Sequence, residues 1–592
     1  MDGYSGHGLL GVQLDVPILV VKEKLEKKMS DTVSTIRREL RRALKALMLR
    51  GMRRSAGWCA ELLQNLASDA EASVPVSMGE DLEERVSDMF LVAKSYFDMQ
   101  EYARCAWTLG KDGQFPSPEQ PDFFLWAYST YLSGEKRKEE AIREGTANAT
   151  NDAVMELIEI LQGVPRDAFA EWLYGVCLKE RGGVKAEAKA ALIHSVSLFP
   201  YNWSAWLDLF QLCPNVQVLQ EVLNLTPDSW PKRFFHVHGL LELQNDRDAL
   251  DGGYVERLCE QFPRSPFAIA QKAMMYYGLT DYDTAQVLFD ELTRMDPYRL
   301  TNVAAFSDLL FVKEARAELS HLAHRVFRVD RYRAESCCVV GNYYGLKGQH
   351  DRAVTYFKRA LQANRNFQAA LILLGHEYIE LQNIPAALET YRQAAEASPS
   401  DHRAWYGLGH VYELNRMFYY SLYYYNKAKS LRPYDPRMWC ALGNSYENLD
   451  MDHLAIKCYE RAEANDDKEG IAVRKLAKLF EKSKEKHTAA KYYLKHLDRR
   501  MREGLMLTIP IAAGGDLDYD GEPCAPTKDD QDALKFLVLY FRDEGRLDEA
   551  QIYAENFLRI AGNDQEAQPL LKDIQARKNA RDTKRQSLGH RG

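Results

Sequence analysis

Apolar and small residues recur along this chain at helical spacing, and from Ala334 onward the recurrence itself repeats every 34 residues. Gly341, Tyr344, Ala353, Phe357 and Ala360 return one period later as Gly375, Tyr378, Ala387, Tyr391 and Ala394, closed by Pro399. The next copy carries Trp405, Gly409, Tyr412, Tyr425, Ala428 and Pro433, with Ser421 replacing the first small residue of its second helix. A fourth carries Trp439, Gly443, Tyr446, Ala455, Tyr459 and Ala462, and no gap is needed across the four. The register runs backwards through Ala273, Tyr276, Ala285, Phe289 and Pro297 to Gly239 and Pro263, and forwards through Leu476, Phe480, Ala489 and Tyr493. Weaker copies lie near Tyr96 and Tyr102 with turn prolines Pro116 and Pro118, over Trp126, Tyr131 and Ala141, and at Trp172, Gly175, Ala188 and Pro200 with an insertion at Gly182 and Gly183. A last pair is read around Gly545 and Ala550, so that roughly thirteen two-helix units cover residues 86–562.

This is the tetratricopeptide pattern, and it predicts an all-α repeat superhelix, an α-solenoid. A small residue at the eighth position, in helix A, and another at the twentieth, in helix B, predict close approach of the two helices, with aromatic positions filling the space between them. One pair cannot bury its apolar surface alone, so neighbours must stack. The chain then divides into an N-terminal helical segment with a flexible start (1–85), degenerate repeats expected to mediate dimerisation (86–265) and a regular superhelix with a peptide-binding groove (266–501). An acidic loop rich in Gly and Pro (502–530), C-terminal repeat-like helices (531–572) and a basic disordered tail (573–592) follow.

Composition narrows the functions open to such an array. With 46% hydrophobic and 27% charged residues among 592, and a net charge of -8, the chain is globular, and its mild acidity argues against nucleic acid as a partner. The opening Met1-Asp2-Gly3-Tyr4-Ser5 has no positive region, and Val16 to Val21 is too short for a signal core or a membrane span, so an intracellular protein without a membrane partner is expected. Ten scattered cysteines with no CxxC pair read as reduced, buried thiols, with Cys337 and Cys338 adjacent inside a repeat. Arg37, Arg38, Arg41, Arg42 and Lys45 fall at helical spacing within the amphipathic stretch Val33 to Asn65, as the solvated face of a leading helix or a contact for anions or a membrane surface.

Motifs that suggest chemistry are incomplete. Gly6-His7-Gly8-Leu9-Leu10-Gly11 matches a dinucleotide fingerprint but has no room for a preceding strand. Asp516, Asp518, Asp520 and Gly521 copy the opening of a calcium loop whose twelfth position should be Glu and is Thr527, with Pro523 interrupting it. His321 with His324, and His236 with His238, lack the partners that would make a metal site specific. Neither a phosphate loop nor a nucleophile elbow is present, and no α/β segment follows the repeats, so neither an enzyme nor a cofactor is expected. Tyr419, Tyr420, Tyr423, Tyr424 and Tyr425 could stack bases, but their place in helix B favours repeat packing.

Helix A positions near 2, 5, 9 and 12 of each repeat line the concave face. Position 9 is Asn342, His376, His410 and Asn444 in turn, with Glu377, Glu380, Glu413 and Glu447 close by. An Asn that can clamp a peptide backbone beside several carboxylates suits a ligand carrying Arg or Lys; ordinary wetted helix residues remain the other reading. A chaperone-type carboxylate clamp, which uses two Lys, two Asn and an Arg, finds Cys338, Asn342, Leu373, Arg403 and Gly407 instead, and only Asn342 and Arg403 fit.

Longer strings carry a sharper resemblance. Asp296-Pro297-Tyr298-Arg299, Glu318-Leu319-Ser320-His321-Leu322-Ala323-His324, Cys337-Cys338-Val339-Val340-Gly341-Asn342-Tyr343-Tyr344, Gly375-His376-Glu377-Tyr378 and Arg403-Ala404-Trp405-Tyr406-Gly407-Leu408-Gly409 resemble the subunit 8 family of tetratricopeptide proteins from the anaphase-promoting complex, or cyclosome. The resemblance spans about Trp58 to Gly562. It implies a non-catalytic scaffold subunit of a ubiquitin ligase that drives mitotic exit, working in nucleus and cytoplasm as a homodimer with other subunits of the complex as partners. It also implies that the groove receives the C-box of a propeller-type coactivator, a short motif with an essential Arg. Asn342 and Glu377 match that pocket best, with His376, Glu380, Arg403, His410 and Glu413 expected around them. Another tetratricopeptide subunit of the same complex, or a co-chaperone adaptor, is the alternative.

Overall fold

In a computed structural model, which describes residues 33, 35–66, 87–110, 115–117, 121–145, 149–243, 245–502, 505, 525–561 and 567–589, the periodic positions become thirteen successive two-helix units between Asp88 and Ala561, one of which has its second helix broken into Asp246–Asp251 and Tyr254–Gln261. No strand occurs among the described residues, and the fold is the all-α tetratricopeptide fold. The chain divides into two units, Met1–Asp330 and Arg331–Gly592. The Gly6 to Gly11 stretch, the Asp516 to Gly521 run and most of the 502–530 loop lie outside the described residues.

Turn chemistry sets the repeat. Position 15 of each regular repeat is left-handed: Gly348 (φ 73°), Gln382 (56°), Arg416 (59°), Asp450 (57°) and Lys484 (64°). That residue lets the next amide fold back onto the carbonyl at position 11, as in Gln349 N to Tyr344 O (2.9 Å), Asn383 N to Tyr378 O (2.8 Å) and Met417 N to Tyr412 O (2.9 Å). The exposed carbonyls at the end of helix A are thereby satisfied. At the other end the indole N–H of Trp405 donates to Pro399 O (2.9 Å) and that of Trp439 to Pro433 O (2.7 Å), tying position 4 to the preceding inter-repeat turn.

The core contact between helices A and B differs in one respect from the sequence expectation. The position 8 glycine makes room for the aromatic ring at position 24 rather than for the small residue at position 20. A Cβ on Gly341 would lie 2.5 Å from the Phe357 ring, on Gly375 2.5 Å from Tyr391, on Gly409 2.5 Å from Tyr425 and on Gly443 2.7 Å from Tyr459. These rings are at most 1% exposed, and Ala353, Ala387 and Ala455 at position 20 are fully buried beside them. Ser421 keeps that place in the third repeat by pairing with Ser445 (2.9 Å). Of the tyrosine run, Tyr425 alone is a core residue: Tyr419, Tyr420 and Tyr423 point outward, which corrects the expectation that the run as a whole packs the repeat.

In unit Met1–Asp330 the weaker copies depart from the pattern for local reasons. Trp126, Tyr131 and Ala141 share one uninterrupted helix, Pro121–Arg143, because Gly134-Glu135-Lys136-Arg137-Lys138-Glu139-Glu140 contains no turn signal strong enough to stop it; its partner is Ala153–Gln162. The insertion at Gly182 and Gly183 forms the turn between Ala168–Arg181 and Lys185–Leu198, both glycines having positive φ. Ahead of the repeats a helix over 35–49 and Arg53–Asn65 fold back onto them. Trp58 stacks on Trp203 (4.7 Å, 7°) and Trp230 (5.8 Å, 14°), Ser55 bonds Asn202 (2.8 Å), and Leu40, Ala43 and Leu47 are buried while Arg38, Arg42 and Lys45 face solvent.

In unit Arg331–Gly592 the stretch expected to be a disordered tail is a helix, Ala567–Gly589. Ile574 is fully buried, Leu570 and Leu571 pack against the same cluster, and Lys578 (2.9 Å) and Arg581 (3.0 Å) pair with Asp548, so the helix caps the last repeat. Thr527, the failed calcium position, caps helix Lys528–Asp543, which begins inside the segment read as a loop.

Gly409→Ala isolates the central contact. Helix propensity alone favours Ala by about 1 kcal/mol, whereas a methyl 2.5 Å from Tyr425 overpacks a closed site, at about 1–3 kcal/mol. We expect a lower melting temperature, partly restored when Tyr425→Leu is added. A higher melting temperature for Gly409→Ala would contradict the contact.

Candidate functional site: the inner wall of the regular repeats

Curvature follows from which helices touch. In unit Arg331–Gly592 the A helices Ala334–Leu346, Gln368–Glu380 and His402–Leu414 contact one another in succession, while the B helices behind them lack comparable contact. The A row is therefore the inner wall, and its outward-facing positions are available to a ligand.

The seven expected peptide-contacting residues fall into different environments on that wall. Asn342 is buried at position 9 of the first repeat. Glu377 is also buried, and one carboxylate oxygen meets His350 Nδ1 at 2.8 Å across the repeat boundary. Burial raises the Glu377 carboxyl above its ordinary range, and the His350 bond opposes this only in part. Glu380, one turn on, is exposed. His376 opens to the inner wall, and its Nδ1 meets the Tyr391 hydroxyl at 3.0 Å. Desolvation in the wall, with His410 and Arg403 nearby, lowers its imidazole below the ordinary range. His376, His410 and Arg403 are thus brought together, and Glu377 and Glu380 make a second group.

Two more of the expected groove residues are engaged by the scaffold. The Arg403 guanidinium lies on Asp401, with Nη2 to Oδ2 at 2.9 Å, while Asp401 Oδ1 accepts the Arg403 backbone N–H at 2.9 Å as a helix cap. Burial would raise the Asp401 carboxyl, but Arg403 and His402 outweigh it and hold it well below the usual range. Arg437 and Asp435 repeat the arrangement one period later. Glu413 accepts hydrogen bonds from the Tyr425 hydroxyl (2.6 Å) and from Asn444. This is part of a ladder in which the position 24 tyrosine donates to the position 12 glutamate: Tyr459 to Glu447 (3.1 Å) and Tyr493 to Glu481 (2.6 Å) follow. The second repeat has Ile379 at position 12, so Tyr391 turns to His376 instead.

His350, Tyr391, Asp401 and Lys475 were missed by sequence reasoning. Lys475 meets Glu447 at 3.0 Å and Asn444 at 3.3 Å, which places a cation beside the acids. The Tyr–Glu ladder had a signal, since each pair is separated by the same twelve residues; the His350–Glu377 contact had none, because it crosses between repeats. The expected acidic groove is accordingly a mosaic. Among the described residues no group of three His, Cys, Asp or Glu is placed to hold a metal ion, and no helix is long and apolar enough to cross a membrane.

Comparison with known proteins locates this architecture. The model of the family described as anaphase promoting complex subunit 8 / Cdc23 matches residues 35–273, and tetratricopeptide repeat models match 346–411 and 436–468. Anaphase-promoting complex subunit 8 of Arabidopsis thaliana is 45% identical over 499 residues, 82% of this chain and 81% of that protein. The Dictyostelium discoideum protein of the same name is 36% identical over 611 residues, covering 92% and 98%. The cell division cycle protein 23 homolog of Homo sapiens is 37% identical over 309 residues, 49% of this chain and 50% of that one. Among solved structures, the crystal structure of the APC/C hetero-tetramer Cut9-Hcn1 shares the fold at a TM-score of 0.55 and 15% identity, over 90% of this chain and 95% of the other.

The buried His402 generates a pH dependence. Burial, with Arg432 next, lowers its folded pKa, and Asp401 compensates incompletely. Below the ordinary imidazole value of about 6.5 the unfolded chain takes a proton that the folded chain refuses. The stability this group contributes is full above that value and is lost as pH falls toward the folded pKa. His402→Gln is expected to lessen the fall in melting temperature between pH 6.5 and 4.5. Identical slopes for variant and wild type would contradict the assignment.

Proposed function

Since the chain belongs to the anaphase-promoting complex subunit 8 / Cdc23 family, we propose that it serves as a non-catalytic scaffold subunit of the anaphase-promoting complex, a ubiquitin ligase controlling mitotic progression and exit in nucleus and cytoplasm, with other subunits of the complex as its partners. Its inner wall receives the C-box of a propeller-type coactivator. The observation that carries this reading is the second group on the wall: exposed Glu380 beside Glu377, one of whose oxygens is held by His350. A ligand Arg inserted there would meet two carboxylates in a partly desolvated setting, where charge-assisted hydrogen bonds are strongest. Asn342 would hold the ligand backbone once ligand entry uncovers its buried side chain, and His376, His410, Arg403 and Glu413 would shape the wall beyond it.

The homodimer reading is supported by unit Met1–Asp330. Leu91 (58% exposed), Met89 and Val92 on helix Asp88–Asp98 and Trp107 (70% exposed) on Tyr102–Leu109 leave an apolar face on a weakly conforming repeat. A second copy covering this face would explain why the repeat departs from consensus.

Two measurements test these readings. In titrations of a labelled C-box peptide, Glu377→Gln keeps a neutral partner for His350 and should weaken binding roughly tenfold, about 1.4 kcal/mol. Asn342→Ala should cost about 0.5–1.5 kcal/mol per hydrogen bond lost. Equal affinities for wild type, Glu377→Gln and Glu380→Gln would place the pocket elsewhere. In sedimentation of the full chain, Leu91→Glu with Trp107→Glu should shift a dimer to monomer; an unshifted dimer would move the interface away from this face.

A further inference from the structure

The outer face of helix Phe418–Leu431 breaks the rule its neighbours obey. Positions 18 and 22 of a regular repeat face solvent, and three repeats fill them with Asp351, Pro385 and His453, and with Thr355, Glu389 and Lys457, all exposed. The third repeat carries Tyr419 (68% exposed) and Tyr423 (57%) there, with Tyr420 (60%) beside them. Repeat packing does not need these rings, because the position 24 ring, Tyr425, already fills the core. Tyr419, Tyr420, Tyr423 and Tyr424 instead line an open depression of about 400 Å³.

Three of the four lining rings are braced by other rings. Tyr412 stacks on Tyr424 (5.2 Å, 4°) and on Tyr420 (5.4 Å, 23°), Tyr424 stacks on Trp405 (6.2 Å, 20°), and Tyr423 stands across Tyr424 (5.1 Å, 83°). The lining is four tyrosines, with no aliphatic side chain among them that would seat a helix's Leu or Ile. An upright ring standing across a flat one, Tyr423 on Tyr424, makes a step that accepts a pyrrolidine ring of an extended segment, and tyrosine hydroxyls can donate to its outward carbonyls. The border is cationic. Arg392 Nη2 donates to the Tyr412 hydroxyl (3.4 Å), Lys427 Nζ lies 5.9 Å from the Trp405 ring centroid, and both side chains are exposed; Glu389, one turn from Arg392, is an acid that offsets part of this charge.

We propose that this surface docks an extended, proline-containing segment of another protein that carries Asp or Glu beside its prolines. The prolines lie on the tyrosines and the acids meet Arg392 and Lys427. The site is separate from the inner wall, so one repeat could present its A helix to one ligand and its B helix to another.

The test uses the full chain and a fluorescein-labelled peptide of repeated Glu-Pro-Pro-Asp-Pro, read by polarisation. The variant Tyr419→His with Tyr423→Lys carries the residues of the fourth repeat at the same register, so an unchanged fold is expected and is checked by its melt. If the melt shifts, Tyr420→Ser alone replaces it. Wild type should bind saturably, the variant at least tenfold more weakly, and a peptide with Lys in place of its acids more weakly than the acidic one; Glu377→Gln should bind like wild type. Absence of saturable binding, equal affinity for the tyrosine variant, equal affinity for a peptide with Ala in place of Pro, or loss of binding in Glu377→Gln would each overturn the proposal.

Discussion

Contact between the glycine at position 8 and the aromatic ring at position 24 is the constraint on which the regular repeats depend. With Cβ distances of 2.5–2.7 Å at Gly341, Gly375, Gly409 and Gly443, each ring occupies space that any side chain on helix A would need. The ring then fixes how close helices A and B lie and at which height they meet. Tyr391 shows the constraint extended to the next repeat, since a Cβ on Gly407 would also lie 2.4 Å from its ring. Stacking between repeats and packing within them are therefore one problem, solved by the same side chain.

The same rings decide the electrostatics of the inner wall. Once a position 24 tyrosine is seated on glycine, its hydroxyl emerges among the A helices and must find an acceptor. Glu413, Glu447 and Glu481 supply one in their repeats, so these acids belong first to the scaffold. The second repeat has no glutamate at position 12, and Tyr391 uses His376. Between Asn342 and Glu380 the wall is accordingly free of that ladder, and there Glu377 meets a histidine from the neighbouring repeat. The break in the ladder and the proposed ligand pocket coincide.

Helices outside the repeats complete apolar surfaces within each unit. Trp58 enters between Trp203 and Trp230 in one unit, and Ile574 is buried against the last repeats in the other. In each case a basic run sits on the solvent side or pairs with acids, Arg38 and Arg42 in the first and Lys578 and Arg581 with Asp548 in the second. The second of these helices covers the apolar face that the last repeat of a stacked array otherwise exposes.

The sequence by itself determined the repeat unit, its period and its helix pairs, because residues that pack against near neighbours leave a periodic trace: Gly409, Tyr412, Tyr425 and Pro433 report a turn and a core without any partner being known. It also pointed to the helix A row as the groove face, with Asn342 and Glu377 as the expected centre of a pocket. The tertiary structure decided what each polar residue touches, since those contacts join positions 27, 31 or 34 residues apart that share no local signature. His350 with Glu377, Asn444 with Glu413 and His496 with Asp530 are of this kind. It also decided which tyrosines of the Tyr419 to Tyr425 run are core and which are surface, and that the tail is a helix, because composition records polarity whereas burial depends on the face a neighbouring helix covers.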